Sequence, residues 1–215
     1  MKLRLGVLGS GKGSNFRAIM EAIRDGRLEA EVRVVVSDVE DAGILRLARG
    51  FGVPSRYVPP GRFRTKLEPE IEREIVRILR DAGAELVVLA GFMRVLKEVA
   101  LDAFAGRIIN IHPSLLPKFR GLAAWTQALN AHEQVTGCTV HYVDAGVDTG
   151  RILAQRTVPI MPDDTPERLH ARIQAAEHQL LPAVIAELSK NRVGRPPAVP
   201  GEASSLSPEA GGRSY

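Results

Sequence analysis

The sequence predicts an α/β fold with a Rossmann-like, mostly parallel sheet, helices on both faces of that sheet, and antiparallel strands in the C-terminal part. Continuous apolar runs alternate with amphipathic segments over residues 3–112, and two closely spaced strand-like runs follow over residues 138–160. Strands that are apolar throughout are typical of parallel sheets covered on both faces. The final pair, separated by a short glycine-containing loop, is typical of a hairpin.

The first half of the chain supplies three strands and two helices by this criterion. Apolar or β-branched runs predict the strands, and apolar residues at helical spacing predict the helices. The strands are 3–8, 32–37 and 55–60, and the helices are 15–26 and 41–52. The first helix places Phe16, Ile19 and Ile23 on one face, and Ser14 or Asn15 is predicted to cap it.

The second half begins with a strong helix whose acidic residues come first and whose arginines come late, as the helix dipole favours. A long helix that ends near residue 188 completes the fold, with Pro166 in its first turn and Pro182 predicted to kink or break it. The predicted elements are helix 68–83, strands 85–91 and 107–112, the hairpin strands 138–146 and 151–160, and helix 164–188.

Composition limits the functional classes. The chain of 215 residues has a net charge of +4 that is spread along it, which favours a solvated surface over a nucleic-acid-binding one. The single cysteine, Cys138, cannot form an intrachain disulfide and suits a reducing cytoplasm. Neither a signal peptide nor a stretch of about 20 apolar residues is recognisable. We therefore expect a cytoplasmic domain over 1–190, a disordered tail over the Pro-, Gly- and Ser-rich residues 191–215, and no nucleic-acid or membrane partner.

A glycine-rich loop, GSGKGSN at 9–15, joins the first strand to the first helix. Its spacing is neither that of a dinucleotide fingerprint nor that of a Walker A loop. Free amides at a helix N-terminus bind anions. The loop therefore predicts a site for one phosphate monoester, held by the amides of Gly13, Ser14 and Asn15. The alternative is a glycine turn that binds no ligand.

The stretch IINIHPSLLPKFRG, residues 108–121, places an amide and an imidazole two residues apart where a buried strand ends. Residues two apart in a strand project to the same side, so Asn110 and His112 are predicted to project together. An amide can stabilise a developing oxyanion, and an imidazole can transfer a proton near neutral pH. Pro113 and Pro117 are predicted to stiffen the exit. The alternative is a structural histidine.

Asp148 is the candidate carboxylate partner, because it lies in the glycine-flanked loop VDTG that could approach the imidazole. Ordinary turn chemistry is the alternative for Asp148. His141 alternates with apolar neighbours and is interpreted as a half-buried strand residue outside the site. The histidines are scattered and no cysteine pair exists, so no metal site is predicted.

Together these motifs resemble the folate-dependent formyltransferases. The matching stretches are GSGKGSN, VVLAGFMRVL at 87–96, NIHPSLLPKF at 110–119, GVDTG at 146–150 and QAAEH at 174–178. They cover roughly residues 1–188. NIHPSLLP with a downstream D-x-G resembles the whole family, and the first loop resembles the branch that acts on glycinamide ribonucleotide.

The resemblance implies transfer of a formyl group from 10-formyltetrahydrofolate, without a metal, to the amine of 5-phosphoribosylglycinamide in purine biosynthesis, by a monomer or homodimer. It implies catalytic roles for Asn110, His112 and Asp148. It also implies substrate and folate contacts elsewhere. The implied substrate-binding residues are Gly13, Ser14, Asn15, Lys66, Gln174 and Glu177, and the implied folate-binding residues are Met93, Arg94, Val95, Leu96 and Asp144.

The sequence departs from the family pattern at two places. Ala123 and Ala124 stand where relatives often carry a histidine, and Arg151 stands where many relatives have proline. Two other members of the family are alternatives: a methionyl-tRNA formyltransferase, which carries an additional C-terminal domain, and a formyltetrahydrofolate hydrolase, which carries an additional N-terminal domain. A catalytically silent folate- or nucleotide-binding module is the alternative from another class.

Overall fold

The computed structural model describes residues 2–190. Strands and helices alternate through most of this range, as the apolar pattern predicts. The strands are β1 (Leu3–Leu8), β2 (Ala30–Ser37), β3 (Ser55–Tyr57), β4 (Leu86–Leu89), β5 (Ile108–His112), β6 (Val135–Tyr142) and β7 (Ile152–Pro159). The helices are α1 (Ser14–Arg24), α2 (Gly43–Gly50), α3 (Pro69–Asp81), α4 (Glu98–Ala103), α5 (Ala124–Asn130) and α6 (Pro166–Lys190).

The strands form one seven-stranded sheet in the order β3-β2-β1-β4-β5-β6-β7. The first five strands are parallel, and β6 and β7 join as an antiparallel extension. The predicted fold class is therefore confirmed. The order reverses between β1 and β4, and in open α/β sheets ligands bind at such a reversal, beyond the carboxyl ends of the strands.

Two apolar clusters cover the two faces of the sheet. One contains Phe16 and Ile19 of α1 and Leu169 of α6, and the other contains Ile75 and Leu79 of α3. Each of these five side chains is at most 2% exposed. Because both faces are buried, the central strands carry no polar alternation, which is the pattern seen in the sequence.

Several local predictions differ from the structure. Helices α4 and α5 were not predicted, because each spans fewer than eight residues and shows little periodicity. Gly13, not Ser14 or Asn15, is the N-cap of α1, and no side chain caps the helix. Pro182 does not break α6, which continues to Lys190.

The tail predicted over 191–215 lies outside the described residues, and the domain boundary at 190 stays a prediction. Over residues 2–190, no helix combines the length and the apolar character that a membrane crossing requires.

Candidate active site

Strands β5 and β6 place three polar side chains on one side of the sheet at its carboxyl edge. Asn110 and His112 lie two residues apart on β5, and His141 of β6 is the register partner of Asn110. His112 and His141 are 4% and 2% exposed. The antiparallel pairing brings His141 into contact with the cluster, and its side chain is buried and not half-buried as predicted. Its position depends on strand register, which the sequence does not reveal.

Asp148 lies at the centre of this cluster. Its Oδ2 atom is 3.3 Å from His112 Nδ1 and accepts a 2.9 Å hydrogen bond from the Gly121 amide. Its Oδ1 atom is 3.4 Å from Asn110 Nδ2 and 3.5 Å from His141 Nε2. The structure thus brings the three predicted catalytic residues together, and the carboxylate contacts both members of the Asn-x-His pair.

Asp148 has a backbone φ of 51°, in the left-handed region that is unfavourable for most residues. Aspartate is one of the few side chains that adopt this conformation readily. The following Gly150 is required by close packing, because a Cβ there would lie 1.8 Å from the Tyr142 carbonyl oxygen. The conformation of Asp148 and the close packing at Gly150 therefore fix the shape of the loop between β6 and β7 that carries the Asp148 carboxylate.

Protonation of the cluster reflects opposing effects. Burial lowers the pKa of the His112 imidazole, while the Phe119 carbonyl and the Asp148 carboxylate act to raise it. The net pKa of His112 is below the ordinary histidine value, because the effect of burial outweighs that of the two acceptors. Burial acts to raise the pKa of Asp148, but hydrogen bonds from His141 and Gly121 and the nearby imidazoles outweigh it, and its pKa is lowered.

The two ring nitrogens of His112 face different acceptors. Nε2 lies 2.8 Å from the Phe119 carbonyl oxygen, which can only accept a hydrogen bond, so Nε2 carries a proton. Nδ1 faces Asp148. His141 Nδ1 likewise donates to the Tyr142 carbonyl at 2.7 Å, and its Nε2 atom lies 3.2 Å from Asn110 Nδ2.

The exit from β5 is held by hydrogen bonds as well as by Pro113. The Thr139 hydroxyl donates to the Ser114 carbonyl at 2.6 Å and accepts from the Leu116 amide at 3.1 Å. Gln155 donates to both the Leu116 carbonyl and the Thr139 hydroxyl at 2.9 Å. Thr139 thus ties the loop after His112 to the antiparallel part of the sheet.

The glycine loop packs against the start of α2. Gly13 has a φ of 81°, and a Cβ there would lie 2.8 Å from the Ile44 Cα atom. The close approach of α2 therefore requires this glycine, independently of any ligand. Ser14 and Asn15 form the first turn of α1, whose N-terminal amides carry the positive end of the helix dipole.

The predicted substrate residues Asn15 and Glu177 form a buried pair across 162 residues of sequence. Asn15 Nδ2 donates to Glu177 Oε2 at 2.9 Å. Burial raises the pKa of the Glu177 carboxyl to about 7, although the Asn15 hydrogen bond acts to lower it. Over residues 2–190, Asn15 Oδ1 is buried and has no hydrogen-bond partner. Gln174 lies one helical turn before Glu177 and is half-buried.

The predicted folate segment after β4 is divided between exposed and anchored side chains. Met93 is 55% exposed, whereas Leu96 is 2% exposed. Arg94 forms an ion pair with Asp38 and hydrogen bonds to neighbouring carbonyls, so its guanidinium is engaged within the protein. Val95 forms an isolated parallel bridge with Lys66, whose ammonium lies 4.3 Å from the Phe63 ring centroid.

Asp144 does not point at the cluster around Asp148. Its Oδ1 atom accepts hydrogen bonds from the Thr149 hydroxyl at 2.6 Å and from the Gly146 amide at 3.1 Å. The residue closes the turn of its own loop, and in this way it supports the backbone that carries Asp148. Over the described part of the chain, no group of three or more His, Cys, Asp or Glu side chains is arranged to hold a metal ion.

The fold and this cluster define a Rossmann-like α/β protein with a polar acid–base site at the carboxyl edge of its sheet. The chain belongs to the formyl transferase family, whose model matches residues 3–185. It is 41% identical over 185 residues to the phosphoribosylglycinamide formyltransferase of Bacillus subtilis, an alignment that covers 86% of this chain and 94% of that protein.

A second relative is much longer than this chain. The trifunctional purine biosynthetic protein adenosine-3 of Drosophila pseudoobscura pseudoobscura is 46% identical over 204 residues, which cover 93% of this chain but only 15% of that protein. The chain is therefore similar to one part of a larger multifunctional protein as well as to nearly the whole bacterial relative.

Solved structures agree with these relationships. Glycinamide ribonucleotide transformylase 1 from Symbiobacterium toebii superimposes with a TM-score of 0.85 at 43% identity, covering 89% of both chains. Phosphoribosylglycinamide formyltransferase from Bacillus halodurans gives a TM-score of 0.82 at 42% identity, covering 87% of this chain and 96% of that one.

Proposed function

We propose that the chain transfers the formyl group of 10-formyltetrahydrofolate to the amine of 5-phosphoribosylglycinamide, as in purine biosynthesis. Membership of the formyl transferase family and the similarity to the Bacillus subtilis enzyme support this proposal. The observation that carries it is the convergence of Asn110, His112 and Asp148 at the edge where open α/β sheets bind ligands. A location in the cytoplasm and a monomeric or homodimeric state stay predictions.

The folate co-substrate supplies the formyl group, and Asn110 and His112 act on the oxygen of that group. An amide nitrogen carries two hydrogens, so Asn110 can keep one of its two contacts within the cluster and give up the other to donate to the oxygen that becomes negative when the amine adds. The Nε2–H of His112 is the second donor. It exchanges its hydrogen bond to the Phe119 carbonyl for one to the substrate oxygen.

Asp148 orients the ring and stabilises the imidazolium. In the imidazolium both ring nitrogens carry a proton, so the Oδ2 atom accepts from Nδ1 and the Nε2–H is directed at the reacting oxygen. The lowered pKa of Asp148 keeps the carboxylate ionised near neutral pH, so it can accept the proton that the amine loses, directly or through a water. The amine attacks the formyl carbon directly, the bond from that carbon to N10 of the folate then breaks, and the proton taken from the amine passes to the leaving N10. No covalent bond to the protein forms.

The ribonucleotide is proposed to bind between α1 and α6. Its phosphate would accept hydrogen bonds from the amides of Gly13, Ser14 and Asn15, at the positive end of the α1 dipole. Gln174 and Glu177 would contact the ribose and glycinamide part. The unpartnered Asn15 Oδ1 atom supports a polar ligand here, because buried acceptors usually have a donor.

The proposed folate site lies beside the 93–96 segment, near Asp144 and its loop. Exposed apolar side chains there, among them Met93 and Val147, suit the flat aromatic ring system of a pterin. Lys66 is proposed to contact substrate from the adjacent loop. The proposed reaction uses no metal ion.

The decisive assay follows deformylation of a 10-formylfolate analogue by absorbance, with and without the ribonucleotide. Turnover that requires 5-phosphoribosylglycinamide supports the proposal. Turnover without any acceptor identifies a hydrolase, and turnover only with methionyl-tRNA identifies the tRNA-modifying enzyme. Binding of folate without turnover under any of these conditions identifies a silent binding module.

Substitutions test the individual roles. Asn110→Ala, His112→Ala and Asp148→Ala should each fold and lower kcat by about 10²- to 10³-fold, the usual effect of losing one transition-state donor or its support. Asn130→Ala, an exposed amide at the end of α5, is the matched control and should leave kcat unchanged. A normal kcat for Asp148→Ala with saturating substrates would remove Asp148 from the mechanism.

The phosphate site has a separate kinetic test. Ser14→Pro removes one amide donor from the first turn of α1, where proline is otherwise tolerated, and Ser14→Ala retains it. The proline variant should raise the KM for the ribonucleotide more than the KM for the folate, with the alanine variant as the control. An equal or larger effect on the folate KM contradicts the assignment.

A further inference from the structure

A buried ion pair joins two loops on either side of β1. Arg94 Nε lies 2.7 Å from Asp38 Oδ2, and the two side chains are only 14% and 2% exposed. Asp38 follows β2 and Arg94 follows β4, and these strands flank β1 in the sheet. The pair therefore spans the carboxyl end of β1, where the strand order reverses.

Ser10 connects this ion pair to the glycine loop. Its hydroxyl donates to Asp38 Oδ1 and accepts from the Met93 amide at 2.9 Å. Its amide donates to the Gly91 carbonyl at 2.9 Å. The loop proposed to hold the phosphate and the segment proposed to hold folate are thus joined by two direct hydrogen bonds and, through Asp38, by the ion pair.

Arg94 also anchors a fourth loop, which precedes α3. Its Nη1 atom donates to the carbonyls of Phe63, at 2.8 Å, and Arg64. The Val95 amide donates to the Thr65 carbonyl at 2.8 Å. This fourth loop carries Lys66, so one guanidinium holds the backbone beside both the proposed folate segment and a proposed substrate residue.

We propose that Ser10, Asp38 and Arg94 are positioning residues that couple the ribonucleotide site to the folate site. This inference rests on the proposed function, because it names those two ligands. Ordering of the first loop by the ribonucleotide restrains the 91–96 segment through the shared contacts. The folate then binds a segment that has already lost part of its freedom, and by thermodynamic linkage each ligand tightens the other by the same factor.

A positioning role and a purely structural role for these three residues predict different binding results. A purely structural ion pair would change stability and leave the linkage between the two ligands intact. A coupling pair changes the factor by which one ligand alters the affinity for the other. Coupling between protein sites is typically about 5- to 150-fold, which calorimetry resolves readily.

The experiment measures the Kd of 5-phosphoribosylglycinamide by titration calorimetry, alone and with saturating tetrahydrofolate. Tetrahydrofolate carries no formyl group, so the ternary complex cannot react. The wild-type chain should show at least about fivefold tighter ribonucleotide binding with tetrahydrofolate present. Asp38→Asn, which preserves shape and removes the charge, should reduce that factor towards one.

Two further variants keep the test decisive if Asp38→Asn fails to fold. Ser10→Ala removes the hydroxyl but leaves the ion pair, and it should also reduce the factor, whereas Ser10→Thr keeps a hydroxyl and should retain it. Asp164→Asn is the matched control, because it breaks a comparably short Asp–Arg pair, 2.6 Å from Arg172, outside these four loops. It should leave the factor unchanged.

A wild-type factor of one overturns the inference, and so does a wild-type factor that persists in both Asp38→Asn and Ser10→Ala. If the wild-type chain binds both ligands without coupling, the inference fails and the proposed function survives. If it binds neither ligand, the proposed function fails and the inference fails with it.

Discussion

Replacing Glu177 by glutamine should remove a large pH dependence from stability. Burial raises the pKa of this carboxyl from 4.5 to about 7 in the folded chain. Below pH 4.5 the side chain is neutral in both states. Between pH 4.5 and pH 7 the unfolded chain loses the proton while the folded chain retains it, so the stability contributed by the neutral carboxyl declines as pH rises through this window.

The size of the effect follows from the shift. At about 1.4 kcal/mol per pH unit, a rise from 4.5 to about 7 corresponds to about 3 kcal/mol of unfolding free energy lost by pH 8. Glutamine is nearly isosteric, stays neutral, and can accept the hydrogen bond from Asn15. The stability of Glu177→Gln relative to wild type should therefore increase by about 3 kcal/mol between pH 4.5 and pH 8.

Urea unfolding of both chains at four pH values across this range measures the difference. Asn130→Ala, an exposed change that alters no titratable group, is the control, and its difference from wild type should stay constant with pH. A constant difference for Glu177→Gln as well would refute the argument, because it would mean that Glu177 titrates alike in the folded and unfolded chains.

Two more predictions concern the loop that follows β5 and the cluster around Asp148. Thr139→Val should destabilise the chain by about 2 to 3 kcal/mol in urea unfolding, because the Leu116 amide loses its acceptor in a buried site. Thr139→Ser keeps the hydroxyl, and its loss of stability should be less than half as large. Equal losses in the two variants contradict the hydrogen-bond explanation. Asp148→Asn should lower the pKa of His112 further, because the carboxylate is one of the groups that act to raise it. NMR titration of the His112 ring protons measures this, and an unchanged or raised midpoint contradicts it.

Local sequence patterns predicted the elements that depend on local physics. The apolar runs of β1, β4 and β5 identified a buried parallel sheet, since a strand covered on both faces needs apolar side chains throughout. Strand alternation was sufficient to place Asn110 and His112 on the same side. The short helices α4 and α5 escaped prediction, because one or two turns do not establish a period.

Contacts between distant parts of the chain were also not predicted, but for a different reason. His141 entered the cluster through its pairing with Asn110, and one residue of slip would have turned it to the opposite face. Asn15 was predicted to cap α1 but instead donates to Glu177, because a buried carboxyl without a donor would be costly. Asp38 was not singled out at all, since only its tertiary contacts with Ser10 and Arg94 distinguish it from an ordinary loop aspartate.

The sequence by itself therefore determined the class of fold, the glycine loop and the Asn-x-His pair, because all three depend on the spacing of residues that are neighbours in the chain. Tertiary structure alone decided that Asp148 faces that pair, that His141 joins it, and that Asp38 and Arg94 bridge the loops on either side of β1. Those contacts depend on register, loop conformation and burial, and these are set by the free energy of the whole packed sheet and not by any local stretch of the chain.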